Sequence, residues 1–300
     1  MKLTSSPSEG LSALQQIIRE RGEALRYELG QPLCESRFIP GQVLLIESGS
    51  ARLLGEQGAR LSTLTKLEAG QLVGAASLLR GAPCEDVRAA SELVARRISD
   101  EDFLDLVRHN SDVAAGCRNH LWTAELAALL TSLLNKAPKQ NRPLSSWLEE
   151  LLPQAHLLDP TDHDAVQSAF KAKRRLFVGG KPSEGGHAEL GEELTNVDEI
   201  SALPTDIHQL PLRLISLPNA AIQELNQENP AELVVAEVIG NNAQDDSNNE
   251  EIPKAPLRPP VSRFNNSKGD DDRDFFIGGE GPLQETLACF QMLAKLMKLP

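Results

Sequence analysis

Between Cys34 and Ile98 the chain alternates short apolar stretches, "RFI", "VLLIES", "ARLLG", "LSTLTKL" and "ELVARRI", with the breakers "PG", "SG", "EQG" and "EAG". Glycine and proline at that spacing leave no room for a long helix. The pattern predicts several short strands closed into a small β-sandwich or barrel. One segment departs from it. In 70-GQLVGAASLLRGAPCEDVRAAS-91 a glycine-flanked turn leads into a short helix beginning near Gly74, and a later arginine, Arg88, stands between small residues. Unbonded N–H groups at a helix start and in glycine-rich backbone attract anions. The candidate anion cradle is therefore Gly74, Ala75, Ala76, Ser77 and Leu78, with Arg88, Ala89 and Ala90 as its second wall.

Helical spacing surrounds this strand region. Leu11, Leu14, Ile17, Ile18, Leu25 and Leu29 predict one amphipathic helix over 8–29, with Ser8 as N-cap and Gly30 just past its end. Ser99 followed by "DEDFLDLV" reads as a cap with an acidic first turn, and one or two helices are expected over 100–136. Beyond "APKQNRP", the stretches "LSSWLEELLPQAHLL" and "DPTDHDAVQSAFKAKRR" predict two shorter helices, the second with a solvated start at 162-DHD-164. "RRLFVGG" and "PLRLISLP" predict strands, giving a second small α/β unit. After "AELVVAEVIG" apolar residues become sparse and Asn, Asp and Pro abundant, the composition of a disordered linker. An amphipathic helix with Leu287, Phe290, Leu293, Ala294 and Met297 on one face is expected over 282–298, and needs a partner or a further domain to cover it. The expected organisation is 1–137, 143–236, linker 237–274, and a final piece 275–300.

Charge and cysteine usage exclude several function classes. A formal net charge of -13 opposes phosphate backbones and anionic headgroups, so no nucleic-acid partner is expected and a membrane is involved only indirectly. No run is long and apolar enough for a membrane span, and "MKLTSSPSEG" lacks the basic-then-apolar form of a signal peptide, which together read as cytoplasmic. Cys34, Cys84, Cys117 and Cys289 are far apart, as are the histidines, so buried reduced thiols are expected and no metal site. "GGKPSEGG" lacks the Gly-Lys-Ser/Thr ending of a triphosphate loop, no nucleophile elbow is present, and no catalytic constellation is found.

The order of helix, short strands, glycine-flanked turn, arginine segment, strand and helices resembles the cyclic-nucleotide-binding fold shared with the catabolite activator family. Gly74 and "SLL" match the phosphate-cassette turn, 88-RAAS-91 the arginine segment, and "IPGQ" and "ESGSARLL" the strand turns. The resemblance implies an α+β chain: a cyclic-nucleotide-binding-like β-roll flanked by helices, then a second small α/β unit, a disordered linker and a C-terminal helix. It also implies a cyclic nucleotide or another small anionic ligand, with Arg88 on the phosphate. The family's glutamate, which accepts from the ribose hydroxyl, falls at Ala75; losing a bond to a charged group costs about 1.5–3 kcal/mol. The wording of 52–91 and the ending "GPLQETLACFQMLAKLMKLP" are similar to the N-terminal region of cyanobacterial peptidase-domain ABC transporters for type I secretion. That similarity implies secretion machinery or transporter domains as partners, at the inner face of the plasma membrane. It makes 275–300 the start of a degenerate peptidase-like domain, with Glu285 at the nucleophile position and Cys289 at a packing position. The expected role is a non-catalytic regulatory or interaction region; the alternative is a functional nucleotide sensor of the Crp/Fnr type.

Overall fold

The computed structural model describes residues 7–57, 60–137, 142–180, 189–196, 199, 212–226 and 252–262. Contacts divide the chain into a unit over 1–262 and another over 263–300. Residues 263–300, with the expected helix over 282–298 and the peptidase-like start, lie outside the described residues.

The chain opens with α1 (Pro7–Arg21), and β1 (Glu23–Tyr27) follows directly. The single helix expected to reach Leu29 is thus corrected. Gly22 ends it, donating its N–H to the Ile18 carbonyl, and the chain turns extended so that Leu25 and Tyr27 enter the core. Gly30, with φ 81, belongs to the turn before β2 (Pro32–Cys34) and caps nothing. The strands β3 (Gln42–Ser48), β4 (Ala51–Gln57), β5 (Arg60–Leu67), β6 (Leu72–Val73), β7 (Asp86–Ala89) and β8 (Leu93–Ser99) complete the roll. They form two antiparallel sheets, in the orders β1-β8-β3-β6 and β2-β7-β4-β5. Val43, Leu44, Leu45 and Ile46 are all buried, because β3 is covered on both faces; the strand therefore reads as a continuous apolar run.

Three helices follow rather than one or two: α3 (Asp100–His109), α4 (Ser111–Asn119) and α5 (Thr123–Lys136). Ser99 caps α3 as its sequence implies, accepting from the Asp102 N–H at 3.0 Å. The first core joins α1, the strands and Phe103, Leu104, Val107, Val113 and Cys117. Leu126, Ala127, Leu129 and Leu130 of α5 lie instead in a second core, with Trp147, Leu148 and Leu151 of α6 (Leu144–Leu151). Most of the buried face of α5 thus packs against the elements that follow it rather than against the roll.

The small α/β unit expected after the roll holds a sheet in the order β11-β10-β12-β9, made by β9 (His156–Leu158), β10 (Arg174–Val178), β11 (Glu193–Leu194) and β12 (Leu214–Pro218). The strands expected at "RRLFVGG" and "PLRLISLP" pair antiparallel, Leu176 opposite Ser216. "HLL" at 156–158, expected within a helix, is a strand. Alternation splits the apolar residues: Phe177, Ile215 and Leu217 face α5, α6 and α8 (Asn219–Leu225), while Leu176, Val178 and Leu214 face Val166 and Ala169 of α7 (His163–Lys171). Asp162 caps α7 through the Ala165 N–H at 3.0 Å. Among the described residues no helix is long and apolar enough to cross a membrane.

Candidate anion cradle

The cradle is built by α2 (Ala75–Arg80), a six-residue helix between β6 and β7. Gly74 precedes it with φ 93, and a Cβ there would stand 2.4 Å from the Gln42 carbonyl oxygen. Only glycine satisfies both conditions. Ala75, Ala76, Ser77 and Leu78 are all buried, so the helix start predicted from "GAASLL" lies inside the roll.

Gly74 has no side chain with which to cap the helix it precedes. The donors that result are taken by a residue from further along the chain: Gly74 N–H donates to Glu85 Oε1 at 2.8 Å, and Ser77 N–H to Glu85 Oε2 at 2.9 Å. The Ser77 hydroxyl donates to the same Oε2 at 2.8 Å and accepts from the Cys84 N–H at 3.2 Å. Glu85 is 3 % exposed. Burial raises its carboxyl above the ordinary range, and the three bonds from Ser77 and Gly74 pull it back down. Chemically this is an anion site already filled by a carboxylate of its own chain.

Arg88 does not join it. Along β7, Val87 and Ala89 point into the core while Asp86 and Arg88 point outward, and the Arg88 side chain is 46 % exposed. Its nearest acid is Asp86, 3.7 Å away. Of the expected second wall, Ala89 turns inward and Arg88 turns to solvent. Strand parity carries the missing signal, since Glu85 shares the inward register of Val87 and Ala89.

Below the cradle lies a cavity of about 250 Å³ lined by Leu53, Leu67, Leu72 and Val87 of the roll, by Glu85, and by His120 and Trp122. Its lining contains a carboxylate and no lysine or arginine. His120 packs edge-on against Trp122, with centroids 4.4 Å apart, and burial followed by the field of Arg213 depresses its pKa to about 4. At neutral pH it adds no positive charge. The space is below the usual range for small-molecule sites, about 300–1,000 Å³.

Behind the cavity Arg213 closes the joint to the small α/β unit. Its Nε and Nη2 donate to Glu125 at 2.6 and 2.9 Å, and Nη1 and Nη2 donate to the carbonyls of Cys117 and His120 at 2.9 and 2.6 Å. Both side chains are almost fully buried. The three described cysteines are free, and burial raises Cys84 and Cys117 to about 12, so none is a thiolate at neutral pH.

Two antiparallel sheets rolled around a buried helical turn define a cyclic-nucleotide-binding domain fold. Residues 24–110 match the family model described as Cyclic nucleotide-binding domain, and a domain of that fold is present. Among solved structures the chain is similar to the Thermus thermophilus Catabolite Activator Protein, with 27% identity, 44% of this chain and 59% of that chain covered, and a TM-score of 0.32. It is also similar to a transcriptional regulator from Thermotoga maritima, with 16% identity, 35% and 82% coverage and a TM-score of 0.30. A third is the regulatory subunit of a cAMP-independent protein kinase A from Trypanosoma brucei, with 16% identity, 35% and 43% coverage and a TM-score of 0.28. The chain thus spans less than two thirds of the Thermus protein. No curated protein matches it.

Proposed function

We propose that this chain is a non-catalytic regulatory or interaction module that uses a cyclic-nucleotide-binding domain fold without a cyclic nucleotide. One observation carries the reading: in the cassette turn the Gly74 and Ser77 N–H groups and the Ser77 hydroxyl are bonded to Glu85. A cyclic phosphate entering there would have to displace a buried carboxylate, meet its charge, and do so without Arg88. Ala75, fully buried where the family's glutamate would stand, offers the ribose no acceptor. Association with a type I secretion transporter rests on the sequence resemblance alone, and the comparisons add no support to it.

Replacing Glu85 separates this from the nucleotide-sensor alternative. Glu85→Ala orphans three buried donors and should lower stability by about 2–4 kcal/mol. Because the seat is then vacant, formate or inorganic phosphate should raise the melting temperature of the variant and leave the unaltered chain unmoved. Calorimetric titration of the unaltered chain with cyclic AMP and cyclic GMP should give no heat. Micromolar binding of either would overturn the proposal.

A further inference from the structure

Composition assigns residues 252–262 to a disordered linker, yet "IPKAPLRPPVS" is held against the roll at both ends. Near its start the Arg26 N–H donates to the Pro253 carbonyl at 2.9 Å, and the Arg26 carbonyl accepts from the Ala255 N–H at 2.8 Å. This is one parallel bridge on β1, the edge strand of its sheet. Near its end the Gly41 N–H donates to the Pro260 carbonyl at 2.7 Å, and the Ile39 carbonyl accepts from the Ser262 N–H at 2.8 Å. Edge strands offer unpaired backbone groups that an extended segment can satisfy.

Side chains add a code to this pairing. Ala255, 8 % exposed, enters the roll's core, where a long charged side chain would be desolvated. Lys254 pairs with Glu28 at 2.8 Å, and Gln31 Nε2 donates to the Pro256 carbonyl at 2.8 Å. The Ser262 hydroxyl donates to Asp100 at the start of α3. Between the anchors Leu257 stands 85 % exposed. Four prolines lack N–H groups and favour extended backbone, so the segment has few donors to satisfy and presents mainly carbonyls. Gly41 completes the fit, since a Cβ there would lie 2.8 Å from Val261 backbone atoms.

We infer that the β1 edge and the Pro40–Gly41 turn form a recognition site for an extended proline-rich peptide, occupied in cis by residues 252–262. The site reads a small residue for the core, a lysine for Glu28 and a serine for Asp100. Covalent attachment holds the segment at an effective concentration of about millimolar, so weak contacts suffice for occupancy.

The test uses the full chain with Ala255→Arg, which blocks the segment and leaves the receiving face intact, and a fluorescent peptide of residues 252–262. Anisotropy should show the peptide binding this variant at least tenfold more tightly than the unaltered chain, whose site is filled. Adding Gly41→Val should abolish that binding. Equal affinity for both chains, or binding that ignores Gly41→Val, overturns the inference. Hydrogen exchange on the unaltered chain keeps it testable should Ala255→Arg misfold. The amides of Ala255 and Ser262 should be protected, and excess unlabelled peptide should speed their exchange while Arg26 and Gly41 stay protected. Exchange of Ala255 and Ser262 as fast as in the free peptide also overturns it.

Discussion

Glu85 and Arg88 are three residues apart and meet opposite fates. The parity of β7 puts one inside and the other outside, and a surface arginine beside a half-buried aspartate contributes little. Arg88→Ala should therefore shift stability by no more than about 0.5 kcal/mol, with no effect on formate rescue of Glu85→Ala; loss of that rescue would return Arg88 to the cradle. His120 supplies a pH prediction. Its pKa is lowered from 6.5 to about 4, so as pH falls through that interval the unfolded chain binds a proton that the folded chain refuses, and stability is lost. Glu85 acts in the opposite sense: its carboxyl is raised above 4.5, so its contribution is present below that value and fades as pH climbs. His120→Phe keeps the edge contact with Trp122 and removes the titration. Melting curves should then lose part of their acid sensitivity between pH 6.5 and 4. Parallel curves for the two proteins would refute the assignment.

At the scale of elements, α2 shows how a helix too short to stand alone is imposed by its surroundings. Six residues cannot offset helix nucleation in water. The left-handed Gly74, the Glu85 carboxylate on the first turn and the burial of every residue in α2 hold it together. Gly74→Ala meets both the φ penalty and the Gln42 carbonyl, and should cost about 2–4 kcal/mol, read by urea denaturation. A loss below about 0.5 kcal/mol would mean the turn relaxes freely. The segment 252–262 is the counterpart in extended form: its low apolar content predicts no element, and it makes none of its own. Main-chain groups left open by β1 and the Pro40–Gly41 turn order it.

For the whole molecule the decisive contact is the pair Arg213 and Glu125, which ties the start of β12 to α5 and to the carbonyls closing α4. Removing one partner of a buried pair strands the other charge and typically costs about 3–5 kcal/mol. Glu125→Ala should lose stability on that scale, whereas a double change of Glu125 to Leu and Arg213 to Met should recover part of it, the buried Trp122 N–H lacking its Glu125 acceptor in both. If the double variant is as unstable as the single one, the carbonyl bonds of Arg213 hold the joint instead. Since Arg213 also neighbours His120, loosening this joint should open the cavity wall, seen as faster exchange over 117–125.

The strand region, the glycine-framed turn, the cap Ser99, a helix start at 162–164, and the strands β10 and β12 were legible in the sequence, because each depends on neighbours a few residues away. Periodicity also misled locally: Leu25 and Leu29 fit a helical face as well as a strand, and Gly22 decided between them by ending α1. The occupant of the cradle, the side taken by α5 and the docking of residues 252–262 were settled only by tertiary structure. Each depends on partners brought together from distant positions, Arg213 with Glu125 and Pro260 with Gly41, and on which polar groups are shut away from water together. Local propensity carries no information about those meetings. Burial does, because a donor removed from solvent must find an acceptor within reach, and at Gly74 and Ser77 that acceptor is Glu85.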